Sequence, residues 1–178
     1  MIIPDYLFSK SQDERVDFDE KELILLKPYG LSLTNDAARP FLILKDETGD
    51  CVLPVAINQL EAGATLTQSS HSAIPLSMHT FSEKLLSSLD IAIERCVFVE
   101  IKGVHQWVRI YMTGHPIYQS MKFKADEVMS LCIHLKIPIY ATKSFISKSK
   151  VMSAEIVGIA KGVSENPTVL ERHHTYLM

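Results

Sequence analysis

The chain has no excess of positive charge and no cysteine pattern typical of a disulfide framework or a metal knuckle. Its 178 residues include 18 Lys and Arg against 21 Asp and Glu, a net charge of −3 at pH 7. Overall charge therefore excludes a whole-molecule attraction to nucleic acid, and any such binding needs a local basic patch. Cys51, Cys96 and Cys132 are odd in number and widely spaced, and we interpret them as reduced core thiols.

Long apolar runs are also absent. No stretch approaches the roughly 18 to 20 apolar residues that a membrane-spanning helix needs. The N-terminal residues lack the basic and apolar regions of a secretory signal. We therefore expect a cytoplasmic protein with no membrane partner. With 47% hydrophobic and 22% charged residues, the chain has the balance of an ordinary globular domain.

Several catalytic signatures are missing as well. The sequence has no Gly-rich phosphate loop, no Cys-x-x-Cys pair and no Gly-x-Ser-x-Gly nucleophile elbow. Its histidines are scattered and do not make the His-x-x-x-His spacing of a helical metal site. Any chemistry must therefore come from residues that the fold brings together.

What the sequence contains is a pattern that occurs twice, in which three β-rich runs precede helical stretches. The runs are ELILLKPYGLSL, PFLILKD and CVLPVAI in the first half, and IAIERCVFVEIKG, QWVRIYMTG and IYQSMKF in the second. Tight turns between consecutive runs favour antiparallel pairing. The prediction is an α+β fold with a duplicated unit of three strands plus helices.

The two ends of the chain differ from this repeating core. Residues 1–21 are dense in charge and are predicted to form an N-terminal appendage. Residues 160–178 contain loop-forming Gly, Asn and Pro and are predicted to form a C-terminal tail. The domain itself is expected to cover residues 22–159.

The first strand-to-helix corner carries Asn58 and Glu61, which have the spacing of a capping box. Asn58 is expected to accept from a first-turn N–H, while the Glu61 carboxylate reaches back to the N–H of Asn58. The corresponding corner of the second half carries Asp126 and Glu127 in the first turn of a helix. If Glu61 and Glu127 approach each other, they offer a divalent-cation site or an acid–base pair.

Three further sets of residues have two interpretations each. His79, at a helix start, is either a structural histidine or an acid–base group. Lys143, Lys148 and Lys150 form either a phosphate-binding surface or a solvated helical face. Trp107 and Tyr111 alternate along one strand, which favours packing on a sheet face over base stacking.

In order along the chain, these motifs resemble the bifunctional nuclease domain family over about residues 22–148. The family pattern Leu-Pro-Ile-Trp-Ile-Gly-x-x-Glu-Ala is matched at Leu53, Pro54, Glu61 and Ala62, with Asn58 in place of the Gly. His79 takes the place of a family histidine, and the IPIYA run matches the end of the family pattern.

The chain also departs from the family pattern, which marks it as a divergent member. Thr80 stands where the family has the Asp that follows its histidine. Lys122 stands where a first Asp opens the third pattern, and only the second acid is kept, as Glu127. A lysine in place of a carboxylate adds positive charge where a cation site would need negative charge.

The resemblance implies a curled, barrel-like, mixed or antiparallel sheet with flanking helices. It also implies a homo-oligomer, a dimer or trimer, and a nuclease acting on DNA and RNA. By this resemblance Glu61, His79 and Glu127 are the expected catalytic residues, and Glu61 and Glu127 would hold Mg²⁺ or Mn²⁺. Lys122, Lys124 and Lys143 are the expected substrate-binding residues. The alternative is a non-catalytic binding or assembly domain whose corners are structural.

Overall fold

The computed structural model describes residues 8–10, 19–33, 39–69, 79–151 and 174–177. In the first half these form β1 (Phe8–Lys10), a short 3-10 turn (Glu20–Glu22), β2 (Leu23–Leu33), β3 (Phe41–Lys45), β4 (Val52–Ala56), α1 (Gln59–Ser69) and α2 (Thr80–Ser88). In the second half they form β5 (Ala92–Lys102), β6 (His105–Thr113), β7 (Tyr118–Lys124), α3 (Ala125–His134) and β8 (Ile139–Thr142). A helix over residues 143–151 (α4) and β9 (His174–Leu177) follow.

The strands form one mixed sheet in the order β1-β7-β6-β5-β8-β2-β3-β4, with β9 paired to β2. All the pairings are antiparallel except the one between β5 and β8, which is parallel. In the described residues β1 and β4 stand at opposite ends of this order, so the sheet curls without closing into a barrel. The predicted α+β class with a curled sheet and flanking helices is confirmed.

The predicted duplication is visible in the topology. β2, β3 and β4 form an antiparallel meander that leads into α1, and β5, β6 and β7 form another that leads into α3. β8 lies between the halves, antiparallel to β2 and parallel to β5. The segments predicted as appendages each add a strand, because β1 pairs with β7 and β9 pairs with β2.

The sheet curls far enough for one side chain of β6 to reach the edge strand β4. The Gln106 amide donates from Nε2 to the Pro54 carbonyl at 2.9 Å, and its Oε1 accepts from the Ala56 N–H at 3.3 Å. Proline suits an edge position because it has no N–H for a ladder bond. Gln106 therefore pairs with this edge much as a neighbouring strand would, and its amide also hydrogen-bonds Ser149 of α4.

The concave side of the sheet and the helices enclose one hydrophobic core. Along β3 and β4 its fully buried members alternate, as period-2 side-chain placement requires: Leu42, Leu44, Leu53 and Val55. In β5 three consecutive residues are buried, Cys96, Val97 and Phe98, and α3 contributes Met129 and Cys132. The three cysteines are free thiols, which confirms that prediction, with Cys51 only partly buried. A hydrogen bond with the Cys132 thiol, together with burial, raises the pKa of Cys96.

None of the helices in the described ranges is long and apolar enough to cross a membrane.

Candidate functional site at the two strand-to-helix corners

The first corner lies where β4 ends and α1 begins, and Asn58 is the N-cap of that helix. Its Oδ1 accepts from the Glu61 N–H at 2.8 Å, and its carbonyl accepts from the Ala62 N–H at 3.0 Å. An N-cap side chain satisfies a first-turn N–H that has no partner within the helix. The first half of the predicted capping box is therefore present.

The second half of that capping box is replaced by a contact with α3. Glu61 Oε2 accepts from the backbone N–H of Ser130 at 2.8 Å, and the Glu61 residue is only 9% exposed. A hydrogen bond to a buried carboxylate is charge-assisted and stronger than one between neutral groups. The expectation that the Glu61 carboxylate accepts from the backbone N–H of Asn58 is wrong, because this carboxylate binds α3 and so joins two helices.

The same turn of α3 also receives the Asn58 side chain. Asn58 Nδ2 donates to the Asp126 carbonyl at 2.8 Å. Asp126 and Ser130 are four residues apart, so their C=O and N–H are the two groups that one α-helical turn would pair. We call this arrangement the α1–α3 clasp: Asn58 and Glu61 on α1, bound to the Asp126 carbonyl and the Ser130 N–H on α3. It links the two duplicated halves.

His79 approaches the clasp from the start of α2. Its Nε2 lies 2.7 Å from the Ser130 hydroxyl, and Ser130 is completely buried. Burial lowers the pKa of His79; the Glu61 carboxylate opposes this shift and the His134 ring adds to it. Glu61 and His79, two of the three predicted catalytic residues, are thus brought together through Ser130.

The buried hydroxyl of Ser130 raises the question of nucleophilic catalysis, since a serine bonded to a histidine is one element of that chemistry. Ser130 has no exposed surface, and its backbone N–H is bound by Glu61. A nucleophile must touch its substrate, so the present arrangement is that of a buried structural contact.

The second corner, where β7 runs into α3, is built differently. Its N-cap residue is Lys124, whose side chain makes no capping hydrogen bond. Glu127 has the helix position that Glu61 has in α1, but its Oε1 lies 3.7 Å from the ammonium of Lys124, and its side chain is 53% exposed. Glu127 therefore takes part in a surface ion pair.

The more buried acid of the second corner is Asp126, which is partly buried and which the sequence predicted only as a cap or first-turn acid. Its Oδ2 lies 3.9 Å from Nδ1 of His105, and its Oδ1 is a buried oxygen with no hydrogen-bond partner. Asp126 lies four residues before Ser130, on the same face of α3. The i, i+4 spacing of Asp126 and Ser130 is therefore the signal in the sequence that could have placed Asp126 near the residues that contact Ser130.

The three predicted substrate-binding lysines have different surroundings. Lys122 forms an ion pair with Glu100, which lowers the pKa of that carboxyl, and its ammonium lies 5.5 Å from the centre of the Trp107 ring. Lys124 pairs with Glu127. Lys143 is exposed at the start of α4. Two of the three cations therefore already have a carboxylate partner.

A divalent cation needs several oxygen ligands converging at about 2.0 to 2.6 Å. Glu61 and Glu127, the predicted ligands, contact a backbone N–H and a lysine respectively. In the part of the chain that the structure describes, no three His, Cys, Asp or Glu groups are placed to hold a metal ion. As they stand, these two carboxylates do not form a cation cage, and the cation remains a prediction.

The class of protein defined by this architecture is a duplicated α+β domain whose halves meet helix to helix at strand-to-helix corners. The family model of the bifunctional nuclease domain matches residues 42–154, more than half of the chain, and the protein belongs to that family. This confirms the resemblance. The match begins within β3, so β2 lies outside the matched segment. No curated protein matches the chain.

Proposed function

We propose that this protein binds nucleic acid and that its Glu61 corner does not hydrolyse it. The observation that argues against hydrolysis at this corner is the α1–α3 clasp, in which the Glu61 carboxylate is buried and bound to the Ser130 N–H. Membership of a nuclease family supports a nucleic-acid-related role. The lysine at position 122 and the threonine at position 80, where the family has acids, support the loss of hydrolysis.

The proposed binding surface is α4. Lys143, Lys148 and Lys150 are all exposed along this helix, whereas Lys122 and Lys124 are ion-paired. A cation that already has a carboxylate partner contributes less to a phosphate contact, because that partner must first be displaced. Because a net charge of −3 gives no overall attraction to nucleic acid, binding needs a local basic surface, and the lysines of α4 supply one.

A second candidate function is the predicted metal-dependent nuclease, using Glu61, His79 and Glu127. Two observations favour it: Glu61 and His79 both contact Ser130, and Asp126, next to Glu127, has an unpartnered buried oxygen. In this candidate Asp126 is a better source of the second carboxylate than the exposed Glu127. The predicted homo-oligomer, a dimer or trimer, is compatible with either function.

The two candidates are separated by measuring binding and cleavage on the same labelled single-stranded and duplex oligonucleotides. Binding is measured in EDTA, and cleavage with Mg²⁺ or Mn²⁺. We expect binding that weakens steeply with salt and no cleavage. Replacing Lys143, Lys148 and Lys150 with Ala should lower affinity at least tenfold and flatten the salt dependence, because fewer counterions are released. Replacing Lys122 and Lys124 with Ala is the matched control.

The hydrolytic function is tested with Glu61→Gln, Asp126→Asn and the exposed control Glu127→Gln. Cleavage that requires a divalent cation, is lost in Glu61→Gln and persists in Glu127→Gln would overturn the proposal in favour of the nuclease. A protein that binds none of the oligonucleotides at low salt would overturn the binding role itself.

A further inference from the structure

Among the described α-helices, only α4 carries lysines and no acid. Residues 143–151 include Lys143, Lys148 and Lys150, and none of these forms an ion pair with a described residue. α1, α2 and α3 each have at least one acid in the first turn. At about 1.5 Å per residue, α4 therefore places three uncompensated positive charges within roughly 13 Å.

Buried contacts hold α4 against the protein and fix which of its sides faces out. Thr142 Oγ1 accepts from the Phe145 N–H at 3.1 Å and so caps the helix. The Phe145 ring is 7% exposed and lies 5.2 Å from the ring of Phe98. Ile146 and Ser149 are buried on the same side of the helix. A packed helix, and not a loop, therefore presents the lysines.

The three lysines stand on both flanks of the exposed side of α4. With about 100° between successive residues, Lys150 lies about 20° from Lys143, whereas Lys148 lies about 140° from Lys143 in the opposite direction. Ser144 and Ser147 lie between these flanks, and all five residues are exposed. We call this arrangement the α4 ridge: a crest of small serines with Lys143 and Lys150 on one flank and Lys148 on the other.

We propose that the α4 ridge lies in the major groove of a B-form DNA duplex, a step that rests on the nucleic-acid-binding function proposed above. The major groove is about 12 Å wide and runs between two rows of phosphates. A helix with its side chains is about 10 to 12 Å across. The ridge therefore fills the groove, so that Lys148 reaches one row of phosphates and Lys143 and Lys150 reach the other.

Other forms of nucleic acid match the ridge less well. Surfaces that bind single strands stack bases on aromatic side chains, and the one aromatic residue of α4, Phe145, is buried. A single strand also offers one row of phosphates, which engages one flank at a time. Duplex RNA is A-form, and its major groove is too deep and narrow for side chains to read. Lysines on two flanks therefore favour duplex DNA.

The crest of the ridge predicts little preference for base sequence. Strong base readout in the major groove comes mainly from Arg, Asn and Gln, which bond two atoms of one base, whereas serine bonds bases of either kind. α4 contains no Arg, Asn or Gln, and its crest carries Ser144 and Ser147. The phosphate contacts of the lysines therefore supply most of the affinity, which should fall steeply with salt.

The first test compares the affinities of the protein for three labelled ligands of one sequence in EDTA at low salt. The ligands are a DNA duplex of about 20 base pairs, the matching RNA duplex and one DNA strand. We expect the DNA duplex to bind at least about tenfold more tightly than either of the others. A DNA duplex of shuffled sequence should bind within about twofold of the first.

The outcomes of this test separate the two levels of the proposal. A preference for the DNA duplex of less than about threefold, or tighter binding of the RNA duplex or the single strand, overturns the groove assignment and leaves nucleic-acid binding in place. Binding to none of the ligands overturns the proposed function as well.

The second test asks whether both flanks touch phosphates. Lys148→Ala and Lys143→Ala should each lower the affinity for the DNA duplex by about three- to tenfold and reduce the salt slope by about one. Lys84→Ala, which removes an exposed lysine of α2, is the matched control and should change neither quantity. An affinity for the duplex that falls in Lys143→Ala but not in Lys148→Ala overturns the two-flank arrangement.

The third test places a negative charge on the crest. Ser147→Glu would put a carboxylate between two rows of phosphates, so we expect the affinity for the DNA duplex to fall at least about thirtyfold. Ser87→Glu, at an exposed position of α2, is the control for an added charge. Thermal unfolding should show that both variants are folded. An unchanged affinity in Ser147→Glu would show that the crest does not face the groove and would overturn the proposal.

Discussion

The two strand-to-helix corners occupy the same place in the two halves, yet their acids do different things. Glu61 and Glu127 are both third residues of the helices that follow β4 and β7. Glu61 is buried and binds the Ser130 N–H of the opposite half, whereas Glu127 pairs with Lys124 at the surface. Equal position within a repeated unit therefore does not imply equal function.

The difference has a physical cause in what each helix faces. α1 packs against α3, so a side chain in its first turn meets the α3 backbone. Asn58 caps α1 and leaves its amide free to bind the Asp126 carbonyl, while Lys124 leaves α3 without a side-chain cap. The first corner thus supplies the side chains of the clasp, and the second supplies its main-chain groups.

The largest expected effect on this comparison comes from Glu61→Ala. Removing the carboxylate removes the charged acceptor of the Ser130 N–H, and a hydrogen bond to a charged group is worth about 1.5 to 3 kcal/mol. We expect the free energy of unfolding in urea to fall by about 2 to 3 kcal/mol. Glu127→Ala should change it by less than about 0.5 kcal/mol, as for other exposed ion pairs. Equal losses in both variants would show that the two acids contribute equally to stability and that the comparison of the corners is wrong.

A smaller effect is expected for Asn58→Ala. This change removes the N-cap of α1 and one contact of the clasp, so we expect a loss of about 1 to 2 kcal/mol in the free energy of unfolding. The reciprocal change at the second corner, Lys124→Asn, should stabilise the protein by about 0.5 to 1 kcal/mol by giving α3 the cap it lacks. If Asn58→Ala is neutral, the clasp contributes nothing beyond packing.

The smallest expected effect is a pH dependence at His79. Because burial lowers its pKa in the folded state, the unfolded chain takes up the proton first as the pH falls. Stability from this group is therefore fully present above about pH 6.5 and is lost as the pH falls toward the lower folded-state pKa. Urea unfolding between pH 7.5 and 5 should show a shallower fall in His79→Gln than in the wild type. Parallel curves would show that His79 does not titrate in this contact.

Most of the secondary structure was predictable because local patterns determine it. Alternating apolar residues identified β2 to β7, and apolar spacing of three and four identified α1, α2 and α3. The short strands β1 and β9 were not predicted, because three or four residues in charged or loop-rich segments carry no periodicity. Their pairing with β7 and β2 depends on edges that only the assembled sheet presents.

The candidate site was predictable only in part. The spacing of Asn58 and Glu61 correctly indicated a cap, whereas the role of the first corner in a functional site, which the family pattern suggested, stays a prediction. The partner of the Glu61 carboxylate was not predictable, because Ser130 is 69 residues away in the chain. That Asp126 is partly buried while Glu127 is exposed also depends on which face of α3 meets α1.

By itself, the sequence determined the order of the elements from β2 to α3, the duplication, the N-cap of α1 and the family. These features follow from contacts between residues near one another in the chain, or from motifs kept within short windows. Only the tertiary structure decided that Glu61 joins the two halves, that Glu127 remains at the surface and that Phe81 and Leu85 of α2 are exposed. Each of those outcomes is set by long-range packing, which brings together groups whose separation in the sequence carries no information about distance.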